Sequence, residues 1–428
     1  MRIKKVLGIS TKLWANYLIL IPYYFALQVM YRETVKIYAY AGYEYVLDSS
    51  KFLVGNITAI ALVFILIMSK HLSDFCRTIG FILLVLISFP AIVFFQFNTG
   101  IDIRYILGHL TLFFGYICFV NIPPAIHPRK IGKRNNALVF AGLIMVMIIP
   151  FLLTRGIPTN FNVFLLQDIY TVRLAARGTS NIFTAYFEGW LSRTIAPILL
   201  VYGLIKRKYL LVLLSLACLM YLFMTSAHKS VFLGVILIII FYKMNSYTRI
   251  GNTIVLGLLV AWSIFWMLPE HSPFRVVIIG LTLYRSLFVP MQAGTHYYEF
   301  FDDNHTYWGH SPFNPFVDYD YELNPPRLIG LEYYNSADMA ANTGIVADGF
   351  MNMGYMGTVI NVLIFALAIG ILNRLKPDKR YFGALFIFIT AIQNSGMLTV
   401  LLTHGLLLVI LIFYLFNLSQ TYKAVGKE

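Results

Sequence analysis

Six arginines and one lysine of this chain stand where a cation could grip an anion. Arg173, Arg177 and Arg193 fall in or near the segment 154–182, and Arg275, Arg285 and Arg327 fall within 269–352. Arg285 is embedded in the otherwise apolar stretch 276–291, where Pro290 is expected to kink a helix over 274–289 because its missing N–H removes a backbone bond. A guanidinium presents a planar fork that matches phosphate oxygens. The ordinary alternative is an arginine whose head snorkels to the membrane surface. Lys229 lies in His228-Lys229-Ser230, between the apolar arms 209–227 and 231–242. An ionisable group at the centre of a span costs roughly 2.5–3.5 kcal/mol, and less at a hairpin tip. Lys229 therefore either snorkels or supplies a cation at the floor of an outward-facing cavity.

A second set of residues suits sugars, which offer hydroxyls to carboxylates and amides and C–H faces to rings. Tyr297-Tyr298-Glu299-Phe300-Phe301-Asp302-Asp303, preceded by His296 and followed by Tyr307-Trp308, has that mixture. Tyr and Trp also form belts at membrane surfaces, but belt residues cluster at helix ends, whereas these sit with carboxylates in a loop. Further on, Gly344, Gly349, Gly354 and Gly357 would let helices approach closely. Asp348, among them, enters an apolar run and wants a cationic or hydroxyl partner. Asp318-Tyr319-Asp320 has the spacing of metal-dependent sugar transferases, but those use nucleotide sugars, and a solvated loop explains the acids equally well. His271, His296, His305, His310 and His404 show no metal-ligand spacing. No P-loop, GxSxG or GxGxxG motif stands in a usable context. No metal or other cofactor is expected.

The chain that must position these groups has 428 residues, 59% of them hydrophobic and only 12% charged. Soluble domains carry about 25% charged residues, so an all-α polytopic membrane protein is expected, one transmembrane domain over 1–428. Runs near the ~20 residues that cross a bilayer occur at 14–31, 51–69, 78–97, 105–121, 137–154, 183–205, 209–226, 230–242, 250–268, 353–373, 381–395 and 400–416. With about twelve transmembrane helices and the N-terminus inside, the cytoplasmic segments hold 21 of the 33 Lys and Arg and only Asp74, Asp378 and Glu428 as acids. That asymmetry places both termini in the cytoplasm and accounts for the net charge of +14 without nucleic acid. The first apolar run is long and aromatic and no Ala-x-Ala site follows it, so it is expected to be a retained span. Cys76, Cys118 and Cys218 lie in spans or on the cytoplasmic side, so no disulfide is expected.

Two outer segments, 154–182 and 269–352, exceed the usual connection length. Residues 270–342 include fifteen aromatics and nine acids, a composition foreign to disorder. The larger loop is expected to be partly helical, to fold over the membrane face and to form part of a site.

Several ordered pieces resemble the Wzy-type polymerases of bacterial O-antigen and capsule synthesis. They are Tyr170-Thr171-Val172-Arg173, Trp190-Leu191-Ser192-Arg193 with Pro197, His228-Lys229-Ser230, Tyr284-Arg285-Ser286-Leu287-Phe288-Val289-Pro290, Tyr297-Tyr298-Glu299-Phe300-Phe301, and Asn342-Thr343-Gly344 through Asp348-Gly349-Phe350 and Gly354-Tyr355-Met356-Gly357. Together they cover about 170–357; the first third matches only in being hydrophobic. The resemblance implies a GT-C-like, metal-independent, inverting glycosyltransferase at the outer face of the bacterial cytoplasmic (inner) membrane. Its substrate would be undecaprenyl-diphosphate-linked oligosaccharide, and it leaves room for a chain-length-determining co-polymerase. In that chemistry Arg285, Arg173, Arg177, Arg193 and Lys229 would hold the diphosphate. Glu299 is the first choice of base, with His296, Glu188 and Asp348 as alternatives, and Tyr297, Tyr298, His296, Asn342 and Asp348 would touch substrate. An O-antigen ligase shares the lipid donor; His310-Ser311-Pro312-Phe313-Asn314 faintly resembles its signature but lacks the adjacent His-Asn pair. A transporter or flippase would spread charge through its spans and show a repeat, and neither pattern is present.

Overall fold

The computed structural model describes residues 16–126, 136–165, 168–179, 181–244, 246–416 and 418, and every regular element among them is a helix. Among the described residues seven helices are long and apolar enough to cross a membrane. Six fall on expected runs: Ser49–Met68, Asp74–Phe97, Asn136–Arg155, Tyr209–Ser226, Tyr247–Met267 and Ile345–Arg374. Elsewhere the runs hold helices that are shorter or more charged. Lys229–Lys243 has 15 residues and Phe382–Ala391 has 10, while Leu20–Tyr38 carries Arg32, Glu33 and Lys36. Apolarity marks where a helix is comfortable in lipid, and says little about where its backbone breaks. The basic segments 1–13 and 127–135, and the C-terminal 419–428, lie outside the described residues.

The chain forms two compact units. One comprises Met1–Ile122, Tyr247–Gly370 and Ile389–Met397; the other comprises Pro123–Ser246, Ile371–Phe388 and Leu398–Glu428. At the centre of the first unit is Asp74–Phe97, apolar on every side and almost wholly buried, as such a helix must be. Its Gln96 ties the neighbours together: it accepts from Tyr24 Oη at 2.8 Å and donates to the Phe52 carbonyl at 2.9 Å.

Four π-helical stretches occur among the described residues, and three of them end two residues before a proline; the fourth, Thr399–Thr403, has none after it. Leu84–Ser88 precedes Pro90, Leu191–Ile195 precedes Pro197, and Gly280–Phe288 precedes Pro290. In each, the N–H just before the proline reaches back five residues: Phe89 to Leu84, Ala196 to Leu191, Val289 to Tyr284. The wider register absorbs the proline without a break, so the kink expected at Pro290 becomes a nine-residue π-helical segment. A proline still leaves carbonyls unserved. At Pro90 these would be Leu86 and Val85, and side chains take both: Gln393 Nε2 donates to Leu86 at 2.9 Å and Tyr23 Oη to Val85 at 3.1 Å. Gln393→Leu is therefore expected to strand the Leu86 carbonyl and cost about 1–3 kcal/mol. Thermal unfolding in detergent measures this; an unchanged Tm would show that the bond contributes nothing.

The seventh long helix, Pro273–Phe300, lies within the expected outer loop. It packs on the ends of several neighbours and also on Trp262 and Tyr31 within their helices, through Thr282 and Phe288. Arg275 Nε donates to the Leu268 carbonyl at 3.1 Å, Tyr284 stacks on Tyr38 at 3.8 Å, and Gln292 Nε2 donates to the Ala41 carbonyl at 2.6 Å. Tyr105, in the first turn of Ile103–Phe119, donates to the Met291 carbonyl at 2.9 Å. Leu268, Tyr38, Ala41 and Tyr105 lie at or just beyond helix termini of the first unit. Pro273–Phe300 leaves Phe274, Val277 and Leu281 exposed on one face.

The tenth expected run opens on a reversal. Met353 and Gly354 leave helical geometry, Gly354 with φ +58°, so residues 345–352 fold back on the helix that follows. Thr358 Oγ1 donates to the Val346 carbonyl at 3.0 Å and Asn361 Nδ2 to the Ile345 carbonyl at 3.0 Å. At the crossing a Cβ on Gly357 would collide with the Gly349 carbonyl oxygen.

Candidate functional site

In the first unit a cavity of about 500 Å³ opens where Pro273–Phe300 meets the loop 98–102. Asp102 caps Ile103–Phe119 by accepting from the Arg104 N–H at 2.7 Å. The Arg104 fork then spans two carboxylates, with Nε on Asp102 at 2.7 Å and Nη2 on Asp302 at 2.9 Å. These bonds hold both carboxyls below their usual range. Glu44 faces the cavity and accepts from Thr99 through its N–H and its hydroxyl, at 3.2 and 2.8 Å. The helix contributes Gln292, His296, Tyr298 and Glu299. His296 and Glu299 are three residues apart and so share a helix face. Behind them Tyr333 stacks on His296 at 4.1 Å, and burial, then the nearby Glu299, disfavour ionisation of the Tyr333 hydroxyl. Tyr298 packs on Phe350 at 3.8 Å and edge-on to Tyr105 at 5.3 Å.

The depressed carboxyls give the Arg104 clamp a pH dependence. A carboxylate with a lowered folded-state pKa binds fewer protons folded than unfolded, so its stabilisation is present at neutral pH and disappears as pH falls through the acid range. Hydrogen exchange, corrected for intrinsic rate, should lose protection at 98–104 and 300–304 as pH drops from 6 to 3. Arg104→Gln should be unprotected throughout. Equal pH profiles in both proteins would rule the clamp out.

In the second unit cations gather round one carboxylate. Arg155 closes Asn136–Arg155, its side chain 7% exposed, and its Nη2 meets Glu188 at 3.0 Å. His228 Nε2 lies 3.6 Å from the other Glu188 oxygen. Arg173 donates through Nε and Nη2 to the Ala227 carbonyl, at 3.3 and 3.1 Å, capping the end of Tyr209–Ser226. Arg193 rides on the π-helical segment Leu191–Ile195. That segment is held by Trp190, which donates to the Leu402 carbonyl at 2.6 Å, and by Gly189, where a Cβ would collide with the Thr403 carbonyl. Arg155, Arg173 and Arg193 all act electrostatically on His228. Desolvation first, then this cationic crowd against Glu188, keeps the imidazole neutral to lower pH than usual. Arg155 and Arg193 both act on this one carboxylate, and the Nη1 atom of each, like Glu188 Oε1, is buried without a hydrogen-bond partner. Two buried guanidiniums on one carboxylate leave donors for a further acceptor.

The predicted residues divide accordingly. His296, Tyr298 and Glu299 line the cavity of the first unit, whereas Arg285 is exposed and is not among its lining residues. Tyr297 is buried, donating to the Ala341 carbonyl at 3.1 Å, and Asn342 is exposed. Asp348 is enclosed: Asn361 Nδ2 at 2.9 Å and the Met397 N–H at 3.1 Å serve it, so its partners are amides rather than the cation or hydroxyl expected. Arg173, Arg193 and Glu188 join the cluster of the second unit. Arg177 is exposed on Ile169–Gly178, and Lys229 begins Lys229–Lys243 next to His228. Asp318 and Asp320 are both exposed. Sequence reasoning passed over Arg155, Arg104, Asp102 and Glu44. Arg155 reads there as the flank of an apolar run, and the other three as connections between spans.

Among the described residues the chain is all-helical, its seven long apolar helices mark a membrane-embedded protein, and it holds a polar cavity in one unit and arginines around Glu188 in the other. No protein-family model, curated protein or solved structure matches it.

Proposed function

We propose that this chain is a Wzy-type polymerase, joining undecaprenyl-diphosphate-linked oligosaccharide repeats into O-antigen or capsular polysaccharide at the outer face of the bacterial cytoplasmic membrane. The observation that supports it most is the pair Arg155 and Arg193 beside Glu188, whose buried Nη1 atoms have no hydrogen-bond partner and suit a diphosphate. The reading entails about twelve spans in a GT-C-like arrangement with both termini cytoplasmic. In the reaction an acceptor sugar hydroxyl attacks the anomeric carbon of the glycan on its lipid carrier. The new glycosidic bond forms as the bond to the diphosphate breaks, with inversion, and the lipid diphosphate departs with the electron pair. Arg155, Arg173 and Arg193, with Lys229, Arg177 and Arg285 as further cations, absorb that developing charge. The hydroxyl proton passes to a base, for which Glu299 is the first choice and His296, Glu188 and Asp348 are alternatives. A lipid diphosphate is a weak base, so no general acid is required.

Purified protein given only undecaprenyl-diphosphate repeats should yield a ladder of products, and should do so in EDTA. A single transfer to a lipid A core, with no ladder, would favour the O-antigen ligase, which uses the same donor. Loss of the ladder in EDTA with rescue by Mg²⁺ would return Asp318 and Asp320 to consideration. Arg285→Ala is expected to stop long products while the protein remains in the membrane; normal chain lengths would remove Arg285 from the site.

A further inference from the structure

We infer that the cavity beside Glu44, Asp102 and Glu299 sorts glycans by charge, admitting neutral and amino-bearing sugars and rejecting uronic acids and other anionic ones. The inference rests on the reading above, in that it takes the occupant to be a saccharide. Its volume, about 500 Å³, is that of a small-molecule site, and the nearly buried Tyr105, Tyr298 and Phe94 form its apolar floor. Its polar lining is lopsided. Four carboxylates, those of Glu44, Asp102, Glu299 and Asp302, face one guanidinium and one imidazole. Arg104 is already engaged by Asp102 and Asp302. Among the described residues Glu44 receives the neutral donors of Thr99, and Glu299 lies beside the neutral hydroxyl of Tyr333 without an ion pair. Among the lining residues, then, the negative charge is largely uncompensated, and the free lone pairs outnumber the free donors.

Such a lining welcomes groups that donate. A sugar hydroxyl can give its proton to a carboxylate, and a sugar ammonium can give three while cancelling charge. A uronate brings only acceptors and a like charge, which the carboxylates repel. The cavity would accordingly set which repeat units the protein accepts, separately from the arginine cluster that suits the lipid diphosphate common to all of them.

Three trisaccharide probes of matched length test this on the full-length protein in detergent at pH 6 and fixed ionic strength. They are the glucosamine trimer, its N-acetylated neutral counterpart and trigalacturonate, with binding followed by thermophoresis and ligand-observed NMR. The expected order is amine, then neutral, then acid, with at least about tenfold between the extremes. In the double variant Glu44→Gln, Glu299→Gln that spread should shrink several-fold while neutral-trimer binding persists. Equal affinities for all three probes, or a spread unaltered in the double variant, would overturn the charge sorting but leave the saccharide site standing. Binding of none of them would overturn both.

Discussion

Arg193→Met should lower polymer formation by about 10²–10³-fold, the loss typical of removing one charge-stabilising donor, while leaving the protein as stable as before or more so. The two halves of this expectation have different causes. Arg193 Nη1 is sealed from solvent and has no partner, and the carboxylate acting on Arg193, Glu188, already serves Arg155. An uncompensated buried charge costs stability, and an apolar side chain of similar length relieves that cost while keeping the packing of the stem. If the arginine exists to hold a diphosphate, the same substitution removes charge where charge develops. Ladder formation and thermal melting, measured on one preparation, separate the roles. A parallel fall in Tm and activity would mark Arg193 as structural, and a normal ladder would take it out of the mechanism. Arg193→Lys should recover part of the activity, because a point charge can replace the Coulomb attraction but not the fork.

Gly357→Val should prevent the protein from folding, at a cost above about 4 kcal/mol. The hairpin of 345–352 against the following helix brings backbone to backbone at Gly349 and Gly357. A Cβ on Gly349 would stand 2.6 Å from the Gly357 carbonyl oxygen, and one on Gly357 even closer to that of Gly349. Neither neighbour is a side chain that can rotate away, so the two helices would have to separate. Separation would break the Thr358 and Asn361 bonds and unseat Asp348, whose partners are Asn361 and Met397. Gly142→Ala provides the control: it lies inside Asn136–Arg155 with open space around it, and alanine there should be neutral or stabilising by up to about 1 kcal/mol. Heat survival on size exclusion in detergent compares the two. A valine variant at 357 that melts with the wild type would disprove the hairpin.

Much of this was legible beforehand. Six apolar runs coincide with long apolar helices, the Tyr209–Ser226 and Lys229–Lys243 hairpin turns at the polar His228 as its pattern suggested, and the glycines of 344–357 do allow close helix contact. The loop rich in aromatics and acids does contain cavity-lining residues, His296, Tyr298 and Glu299. Other features were not accessible. Tyr297 and Tyr298 look equivalent in the chain, yet one pins a carbonyl and the other lines the cavity. Pro290 looked like a kink because a missing N–H is visible in sequence, whereas the π register that accommodates it is not.

By itself the sequence determined that the chain lives in lipid and that its helices carry few charges, because hydrophobic transfer is local and sums residue by residue. Tertiary structure alone decided which charges matter. Arg155 and Glu188 are 33 positions apart, and Arg104 and Asp302 are 198 apart. An ion pair depends on distance in space, which no local pattern encodes. Whether a guanidinium nitrogen is left without a partner depends further on every neighbour that could have supplied one.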